Sequence, residues 1–460
     1  MRYPNGDTII AVATPPGRGG LAVIRLSGRK ALSIAMKIFR PSAPRKLRDF
    51  PVRRLIFGKL GPSGREAFGD SAFAVHFRAP RSYTGEDVVE IFCHGSPVVV
   101  EEAVRLGIKA GARSAAAGEF TFRAFANGRM DLLQAEALND LIGAETLTQA
   151  RLASRQLAGS LSGRIAAIRR GLIDALAGIE AAIEFPDDDI GLKPASPADG
   201  LAALSADVSA LVGTYEAGRS LVEGVTLVLA GGRNTGKSTL FNALLGEERA
   251  IVTPQPGTTR DFIREKWAAD RTLFNLVDTA GWGRPSNPAE KTGIEKSRDL
   301  ASGADGLLIV LDRSRKETRN DFDILTFCPE KKAVLIFNKS DLPAVADIES
   351  LKATRPGAPA LEISALCGSN LKQLRETILS VFSAPEGFEE EMILHGRQKT
   401  VFQDIGDALG RAEALLRSGH SEDIVAEEIR QTLPLIGRLT GEIRDEEILE
   451  DIFNRFCVGK

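Results

Sequence analysis

The stretch VTLVLAGGRNTGKSTLFNALLG, residues 225–246, decides the fold of the middle of this chain. It reads as an apolar strand, a glycine-rich turn and a helix, which is the context in which the pattern G-x-x-x-x-G-K-[ST] holds nucleotide phosphates. Glycines let backbone N–H groups cradle the phosphates, Lys237 reaches the β- and γ-phosphates, and the hydroxyl of Ser238 binds Mg²⁺. A glycine loop arising by chance would lack these flanks. The stretch therefore predicts a phosphate-binding loop (P-loop) at the start of an α/β unit.

Two motifs downstream extend the phosphate and metal site. DTAG ends a second apolar strand, where Asp278 would support the Mg²⁺ and the amide of Gly281 would sense the γ-phosphate. GTTRD lies between the P-loop and DTAG, and its Thr259 can complete the metal shell when this loop closes. The predicted Mg²⁺ ligands are therefore Ser238 and Thr259.

Two further motifs choose the base. NKSD ends another strand, and the Asp341 carboxylate can accept hydrogen bonds from the ring N–H and the exocyclic amine of guanine, which adenine does not present together. SAL, at 364–366, would close over the base. Any one motif could arise by chance, but all five in this order predict a GTP site. The residues predicted to bind GTP are Asn234, Thr235, Gly236, Lys237, Ser238, Thr239, Thr253, Pro254, Gln255, Pro256, Gly257, Thr258, Thr259, Asp278, Thr279, Ala280, Gly281, Asn338, Lys339, Asp341, Ser364 and Ala365.

The group that orients the attacking water is less clear from the motifs. Small GTPases use a glutamine just after DTAG, but Trp282 and Gly283 stand here. Glu290, in NPAEKTGIEKSRD, is the nearest carboxylate that could take this role. From spacing alone, a charge on a solvated loop or helix start is the simpler interpretation of Glu290. The sequence singles out no arginine as a finger supplied by the same chain.

Composition bounds the whole chain. At 460 residues it is long enough for two to four domains, and with 43% hydrophobic and 26% charged residues it has the profile of a soluble globular protein. The net charge of −2 indicates no overall preference for nucleic acid, although a local basic patch would suffice for one. No apolar run approaches the roughly 18 residues of a membrane span, and the N-terminus does not resemble a signal peptide. The four cysteines and four histidines lack metal-ligand spacing, so we expect reduced thiols and no protein metal cage.

The pattern of apolar and polar residues changes three times along the chain. Residues 1–118 alternate short apolar runs (TIIAVAT, GLAVIRLSG, RRLIFGKL, FAVHF, VVEIF) with turns, and SPVVVEEAVRLGIKAG reads as a helix, which predicts an α+β domain. Residues 119–217 and 383–460 show helical periodicity, and 218–382 alternate strands with helices, which predicts a parallel sheet covered by helices. Each helical zone alone would expose an apolar face. We therefore expect the two zones to pack together as one discontinuous helical domain, with the α/β unit inserted between them.

The phrases ATPPGRGGLAVIRLSG, SYTGEDVVEIFCHG, GEFTFRAFANGRMDLLQAEAL and the terminal FCVGK, together with the GTPase motifs, resemble the MnmE (TrmE) family of tRNA-modification GTPases over nearly the whole chain. The resemblance implies an N-terminal folate-binding and dimerisation domain, a discontinuous helical domain and a Ras-like G domain. It also implies a cytoplasmic homodimer that works with the flavoprotein MnmG on tRNA. Together they would add an aminomethyl or carboxymethylaminomethyl group to carbon-5 of the wobble uridine. GTP hydrolysis in this family needs K⁺ and dimerisation of the G domains.

The resemblance also assigns residues to the ion and to catalysis. Asn234, Thr253, Gln255 and Thr258 match the potassium-binding positions. The ion would lie where other GTPases insert an arginine finger. Glu290, twelve residues after Asp278, falls where the family has its water-orienting glutamate. The resemblance therefore favours a catalytic role for Glu290 over a solvated surface charge.

A second set of positions matches the site for 5-formyl-tetrahydrofolate or a related reduced folate, namely Arg25, Glu90, Arg129 and Lys460. A carboxylate suits the amino-pyrimidine edge of a pterin, and arginines suit the anionic tail of folate. From composition alone, Arg25 and Glu90 would more often be structural. In the family the terminal C-x-G-K points toward the folate, so Cys457 would bring a thiol to the one-carbon donor. Without the resemblance, a frayed end with an incidental thiol is the simpler interpretation.

Three positions depart from the usual family pattern. Arg233 precedes Asn234 where proline is usual, GWGR follows DTA in place of a leucine or isoleucine and arginine, and Arg129 replaces a common lysine. None of these changes removes a donor or a ligand, although the first two could alter loop rigidity and the rate of hydrolysis.

Two other classes of function remain open from the motifs alone. A ribosome-assembly GTPase that acts as a binding switch shares the G domain and K⁺ dependence, but it gives no account of SYTGEDVVE or FCVGK. A membrane-remodelling or transport GTPase is disfavoured because the sequence shows no spanning segment. The tail is not a prenylation box, since Gly459 and Lys460 are not the residues that such a box requires.

Overall fold

The computed structural model describes residues 6–44, 46–61, 69–184, 197–246, 263–283, 288–383 and 392–460. The chain divides into two units. The first unit comprises Met1–Asn139, Ser154–Ser205 and Asp404–Lys460, and the second comprises Asp140–Ala153 and Ala206–Gln403. The four predicted domain ranges stay a prediction.

A seven-stranded sheet opens the first unit. Its strands are β1 (Ile9–Val12), β2 (Gly19–Ser27), β3 (Phe39–Pro41), β4 (Ile56–Leu60), β5 (Asp70–Phe77), β6 (Val88–Gly95) and β7 (Arg113–Ser114), in the order β3-β4-β5-β6-β2-β1-β7. Two helices, α1 (Ala31–Ile38) and α2 (Pro97–Lys109), cover one face, where alternate strand residues such as Ile24 and Ile91 form the core. The five predicted strands and α2 are confirmed. The short β3 and β7 and helix α1 were not predicted.

A helical segment follows this sheet, as predicted. Its helices are α3 (Glu119–Ala126), α4 (Leu132–Gly143), α5 (Leu147–Leu157), α6 (Ser160–Glu184), α7 (Pro197–Gly213) and α8 (Tyr215–Glu223).

A six-stranded sheet forms the core of the second unit. Its strands are β8 (Val225–Gly231), β9 (Ile263–Ala269), β10 (Thr272–Asp278), β11 (Gly306–Asp312), β12 (Ala333–Asn338) and β13 (Ala360–Glu362), in the order β13-β12-β11-β8-β10-β9. The accompanying helices are α9 (Lys237–Leu245), α10 (Pro288–Gly303), α11 (Arg319–Leu325), α12 (Ile348–Thr354) and α13 (Leu371–Phe382). Apolar clusters lie on both faces of the sheet, as a parallel sheet between helices requires.

The predicted parallel sheet is confirmed for its five predicted strands, and the structure adds an edge strand, β9, that was not predicted. β9 pairs antiparallel with β10, whereas the other four pairings are parallel. A two-residue turn at Asp270 and Arg271 joins the two strands, and Asp270 adopts φ 52 there. The segment IREKWAA does not stand out in the sequence as a strand, because Arg264 and Lys266 are charged and exposed on this edge strand.

The chain ends in three helices, α14 (Gly396–Arg417), α15 (Glu422–Thr440) and α16 (Glu446–Asn454). In the first unit α15 packs along α6, and Arg430 of α15 forms an ion pair of 2.5 Å with Glu180 of α6. α16 packs on α3 through a cluster that includes Phe122, Phe125 and Phe453. The expectation that the helical zones before and after the α/β insertion pack together is therefore confirmed. Among the described helices, none combines the length and the apolar character that crossing a membrane requires.

Candidate functional site

The P-loop lies between the carboxyl end of β8 and the start of α9. Asn234 adopts φ 59 and Gly236 φ 92, so the turn uses left-handed backbone at two positions. A Cβ on Gly236 would overlap the side-chain amide of Asn338, which donates to the carbonyl of Thr235 at 2.8 Å. The glycine is therefore required by a close approach between the P-loop and the end of β12.

Lys237 is the charged centre of the loop. Its side chain is 7% exposed, and its Nζ donates to the carbonyls of Gly231 at 3.2 Å and Gly232 at 2.8 Å. Among the described residues no carboxylate lies within ion-pair distance of this Nζ. Burial lowers the pKa of Lys237, and the negative charge of Asp278 opposes that shift. The fold thus holds a buried cation against carbonyl oxygens at the point where the motif expects phosphates.

The DTAG motif brings a metal-binding pair together. Oγ of Ser238 donates to Oδ2 of Asp278 at 2.6 Å, while Oδ1 of the same carboxylate is buried without a hydrogen-bond partner. Buried carboxylate oxygens are normally satisfied, and hydroxyl and carboxylate oxygens suit Mg²⁺ and its bound waters. These two residues therefore fit a Mg²⁺ site.

DTAG also packs directly against the P-loop. The hydroxyl of Thr279 donates to the carbonyl of Leu229 at 2.7 Å, and the amide of Trp282 donates to the carbonyl of Gly231 at 3.0 Å. A Cβ on Gly281 would lie 2.9 Å from Cα of Arg233, so this glycine is needed for the approach. The Gly281 amide is thus held beside the loop that would carry the phosphates.

The base-recognition residues also come together. The amide of Ala365 donates to Oδ1 of Asn338 at 3.0 Å, and the fully buried Ser364 donates to Oδ1 of Asp341 at 2.5 Å. The SAL segment is thereby tied to NKSD, which orients the Asp341 carboxylate. This arrangement fits the predicted guanine site.

Sequence reasoning missed Asp312, which holds Lys339 of NKSD. Nζ of Lys339 lies 2.6 Å from Oδ2 of Asp312, and Ser314 donates to Oδ1 through both its amide and its hydroxyl. Burial alone would raise the pKa of Asp312, but these hydrogen bonds outweigh it and lower that pKa. Its position at the carboxyl end of β11, beside NKSD, is the signal that could have found it, because ligands of open α/β sheets bind at those ends.

Some predicted residues cannot be placed. The predicted residues from Thr253 to Thr259 lie outside the described residues. Glu290 lies in the first turn of α10, but its side chain is also outside the described residues. Thr239 and Ala280 are exposed at the start of α9 and after β10, respectively.

A second candidate site lies in the first unit. On adjacent strands β2 and β6, Nε of Arg25 donates to Oε1 of Glu90 at 2.8 Å, and both side chains are largely buried. The guanidinium lies over the rings of Tyr83 and Phe120, at 5.3 and 5.7 Å from their centroids. Burial raises the pKa of Tyr83, against the opposing effects of a hydrogen bond with Thr121 and the charge of Arg25. The two predicted residues therefore form one polar centre beside aromatic rings.

The C-terminal tail reaches the same centre. The carbonyl of Gly459 lies 3.4 Å from Nη1 of Arg25, and the carbonyl of Lys460 accepts from the amide of Phe120 at 3.2 Å. Gly459 adopts φ 99, and a Cβ there would overlap the carbonyl oxygen of Val12. The tail is therefore docked on the sheet rather than frayed, and it leaves Cys457 exposed.

The side chain of Arg129 lies beside the loop that carries Tyr83. This arginine is exposed after α3, and the stem of its side chain passes beside Gly85, at which a Cβ would be 3.5 Å from Cγ of Arg129. Gly85 belongs to the loop between β5 and β6 that also carries Tyr83.

Comparisons with known proteins cover nearly the whole chain. A family model described as the MnmE helical domain matches residues 132–457, and one described as the GTP-binding protein TrmE N-terminus matches residues 8–129. The first match begins before the P-loop sheet and ends after it, as a domain with an insertion would.

Individual relatives agree with these models. The tRNA modification GTPase MnmE of Natranaerobius thermophilus is 38% identical over 457 residues, which cover 99% of this chain and 99% of that protein. The protein of the same name from Koribacter versatilis is 39% identical over 461 residues, with the same coverage. Among solved structures, the G domain of the FeoB iron transporter of T. maritima is 28% identical and covers 34% of this chain and 98% of that chain, with a TM-score of 0.27.

Proposed function

Because the chain belongs to the MnmE family of tRNA-modification GTPases, we propose that it couples GTP hydrolysis to modification of the tRNA wobble uridine. In this reaction an aminomethyl or carboxymethylaminomethyl group is added at carbon-5. The one-carbon unit comes from 5-formyl-tetrahydrofolate or a related reduced folate. The partners are tRNA, a second copy of the chain and the flavoprotein MnmG.

The observation that carries this proposal is the docked tail. A GTPase that acts only as a switch has no need for its C-terminus to lie 3.4 Å from a paired arginine of its N-terminal sheet. The Arg25–Glu90 centre offers a carboxylate and a guanidinium beside aromatic rings, which suits the polar edge and flat ring of a pterin. The exposed thiol of Cys457 lies two residues from Gly459. Arg129 and Lys460 provide cations for the anionic tail of the folate.

The nucleotide site supplies GTP and Mg²⁺ binding. Lys237 would contact the β- and γ-phosphates, and Ser238 and Asp278 would hold the Mg²⁺ with Thr259. When bound there, Mg²⁺ would neutralise charge that develops on the phosphates. Asp341 would accept hydrogen bonds from the guanine base. The amide of Gly281 would contact the γ-phosphate.

Potassium is proposed as the second ion of the same site, bound by Asn234, Thr253, Gln255 and Thr258. Asn234 supports this assignment because its side chain is exposed in the P-loop, where its amide oxygen is open to a cation beside the phosphates. Turnover of GTP should be much faster in K⁺ than in Na⁺ at equal ionic strength. Equal rates in the two salts would show that GTP hydrolysis by this chain does not depend on K⁺.

Glu290 is proposed to orient the attacking water. Its place in the first turn of α10, after the DTAG segment, supports this role. Glu290→Ala should keep its GTP affinity and lose turnover, whereas Glu295→Ala on the same helix should keep both. Unchanged turnover in Glu290→Ala would return the residue to a surface role.

The sheet face opposite α1 and α2 supports the homodimer. Phe57, Phe73, Phe92 and Val23 are cross-strand neighbours on β4, β5, β6 and β2. Phe57 and Phe73 are 48% and 46% exposed, and their ring centroids are 5.3 Å apart. An apolar row of this kind is stabilised when another surface covers it. We assign the row to contact with the second copy.

The decisive experiment measures wobble nucleosides. Cells lacking the protein should lose the modified uridine by mass spectrometry of their tRNA, and the wild-type chain should restore it. Cys457→Ser should retain GTP turnover and fail to restore the nucleoside, whereas Cys328→Ser, a half-buried thiol in the second unit, should restore it. If cells lacking the protein keep the modified nucleoside, the proposal fails. A ribosome-assembly GTPase that acts as a binding switch then becomes the better hypothesis for its function.

A further inference from the structure

Four exposed arginines lie on two neighbouring loops of the first unit. Arg53 and Arg54 lie between the 3₁₀ turn Leu47–Asp49 and β4, and Arg78 and Arg81 lie after β5. Nη2 of Arg53 donates to the carbonyl of Arg81 at 2.9 Å, and the amide of Arg81 donates to the carbonyl of Arg78 at 3.0 Å. These contacts join the two loops. We call this group the arginine surface.

The charges of the arginine surface are not neutralised. Among the described residues, none of its four guanidiniums has a carboxylate within ion-pair distance. The acids near these arginines in the chain have other partners: Asp49 lies 3.8 Å from Arg48, Asp70 pairs with His94, Glu86 pairs with Arg123, and Asp87 accepts from the amide of Ala79. Since the whole chain has a net charge of −2, four uncompensated cations in one place are a local feature and not a consequence of composition.

The backbone beneath these arginines is fixed. The amide of Arg53 donates to the carbonyl of His76 at 2.8 Å, and the hydroxyl of Ser82 donates to the carbonyl of Glu86 at 2.5 Å. Arg53 itself adopts φ 57. A left-handed backbone costs a residue with a side chain on the order of 1 kcal/mol, and such strain collects at functional positions. A charged surface on fixed loops loses little loop entropy when it binds a ligand.

The chemistry of the arginine surface fits phosphates. Guanidinium groups bind phosphate oxygens through two parallel hydrogen bonds, and arginine is favoured over lysine where such geometry matters. Successive phosphates along a folded RNA match a row of cations on a rigid surface. No aromatic side chain belongs to the surface, so we expect it to contact the RNA backbone and not to read bases.

We propose that the arginine surface binds the phosphate backbone of the tRNA substrate. This inference rests on the proposed function, and it adds where on the chain the RNA is held. Each phosphate contact releases counterions, so binding through this surface weakens steeply as salt rises.

The test compares two double variants of the full chain in tRNA binding by fluorescence anisotropy over a KCl series. Arg54→Gln/Arg81→Gln removes two surface charges whose side chains donate no hydrogen bond among the described residues. Arg105→Gln/Arg417→Gln removes the same total charge from arginines paired with Glu102 and Glu413 elsewhere. The first variant should lose about tenfold in affinity, and the slope of log affinity against log salt should become shallower by roughly 1.5, since each lost phosphate contact contributes ~0.7–0.9. The second should match the wild type, and both should keep wild-type GTP turnover.

The other outcomes overturn the proposal. Equal affinity and equal salt slope in wild type and Arg54→Gln/Arg81→Gln would show that the arginine surface does not bind the tRNA. Equal losses in both double variants would attribute the effect to net charge. A larger loss of binding to phosphatidylglycerol vesicles than to tRNA would make it a surface for anionic lipid. None of these results would alter the wobble-nucleoside measurement, so a failure here is distinct from a failure of the proposed function.

Discussion

The two candidate sites hold their central cations by opposite means. In the nucleotide site Lys237 is buried against carbonyl oxygens, with no carboxylate of the described residues in ion-pair distance. In the N-terminal site Arg25 is largely buried but paired with Glu90 at 2.8 Å. One site carries an unbalanced charge before its ligand arrives, and the other is already balanced.

This difference predicts opposite responses to the loss of the cation. A buried charge without a counter-ion destabilises the protein that contains it, whereas removing one partner of a buried pair strands the other. The nucleotide site should therefore gain stability when its lysine becomes apolar, and the N-terminal site should lose stability when its arginine does. Ligand binding fails in both cases, but the unliganded proteins should move in opposite directions.

The largest expected effect follows Lys237→Met. Two charge-assisted hydrogen bonds to phosphate are worth about 3–6 kcal/mol together, so GTP affinity should fall by more than about 100-fold in a fluorescent-nucleotide titration. The melting temperature of the nucleotide-free protein should rise, because burial lowers the pKa of Lys237. A group whose folded pKa is lowered from a basic value costs stability below its unfolded pKa, and methionine removes that cost. A lower melting temperature in Lys237→Met would contradict the inference that the buried charge of Lys237 destabilises the nucleotide-free protein.

Arg25→Met should produce the next largest effect. Calorimetric titration with 5-formyl-tetrahydrofolate should show an affinity about 10- to 100-fold weaker, since one charge-assisted contact is worth roughly 1.5–3 kcal/mol. Here the unliganded protein should melt at a lower temperature, because Glu90 would stay largely buried without its partner.

The double variant Arg25→Met/Glu90→Gln provides the control. It removes both charges, so it should recover part of the lost melting temperature without recovering folate affinity. If Arg25→Met binds folate with wild-type heat and affinity, Arg25 does not belong to the site.

The two sites also differ in how far the sequence could predict them. The motifs of the nucleotide site follow individual strands, and parallel strands bring their carboxyl ends to one edge, so P-loop, DTAG and NKSD could be placed together from local pattern alone. The N-terminal site joins Arg25 to Gly459, 434 positions away in the chain. Residue identities there came from resemblance, and no local pattern showed that the tail docks on Val12.

The same reason explains what was missed in the fold. Strands with alternating apolar residues, such as β2 and β6, were predicted because one face is buried. Edge strand β9 was missed because its pairing with β10 comes from backbone hydrogen bonds that the sequence does not display. The buried pair of Arg123 and Glu119, which also engages Asp7, was missed because charged residues in a helix ordinarily indicate a solvated face.

Gly459→Ala sharpens the comparison by perturbing only the tail. A Cβ at this position would overlap the carbonyl oxygen of Val12, and the backbone φ of 99 strains any residue with a side chain. The tail should leave Arg25, and folate affinity should fall by about tenfold, equivalent to ~1.4 kcal/mol, while GTP turnover stays at the wild-type rate. Gly419→Ala is the matched control, since Gly419 has φ 72 but no atom within 4 Å of a Cβ. A loss of folate affinity in both variants would point to general destabilisation.

The smallest expected effect tests whether the nucleotide site also contains a balanced pair. Asp312 accepts hydrogen bonds from Lys339 and Ser314, and although its burial would raise its pKa, these bonds lower it below its ordinary value of 3.8. A carboxyl whose folded pKa is lowered contributes stability that is present above its unfolded pKa and is lost as pH falls through the folded pKa. Asp312→Asn should therefore lower the free energy of unfolding by about 1 kcal/mol at pH 7. This loss should appear as a melting temperature lower by roughly 2–4 °C. The gap between variant and wild type should begin to narrow below about pH 3.8, where the carboxyl of the unfolded chain becomes protonated, and should close as the pH falls through the lower folded pKa. Asp323→Asn, an exposed carboxylate on α11, should show no gap at either pH. A gap that stays constant from pH 7 to pH 3 would mean that Asp312 acts through its shape and not its charge, and the nucleotide site would then lack the balanced pair that the N-terminal site has.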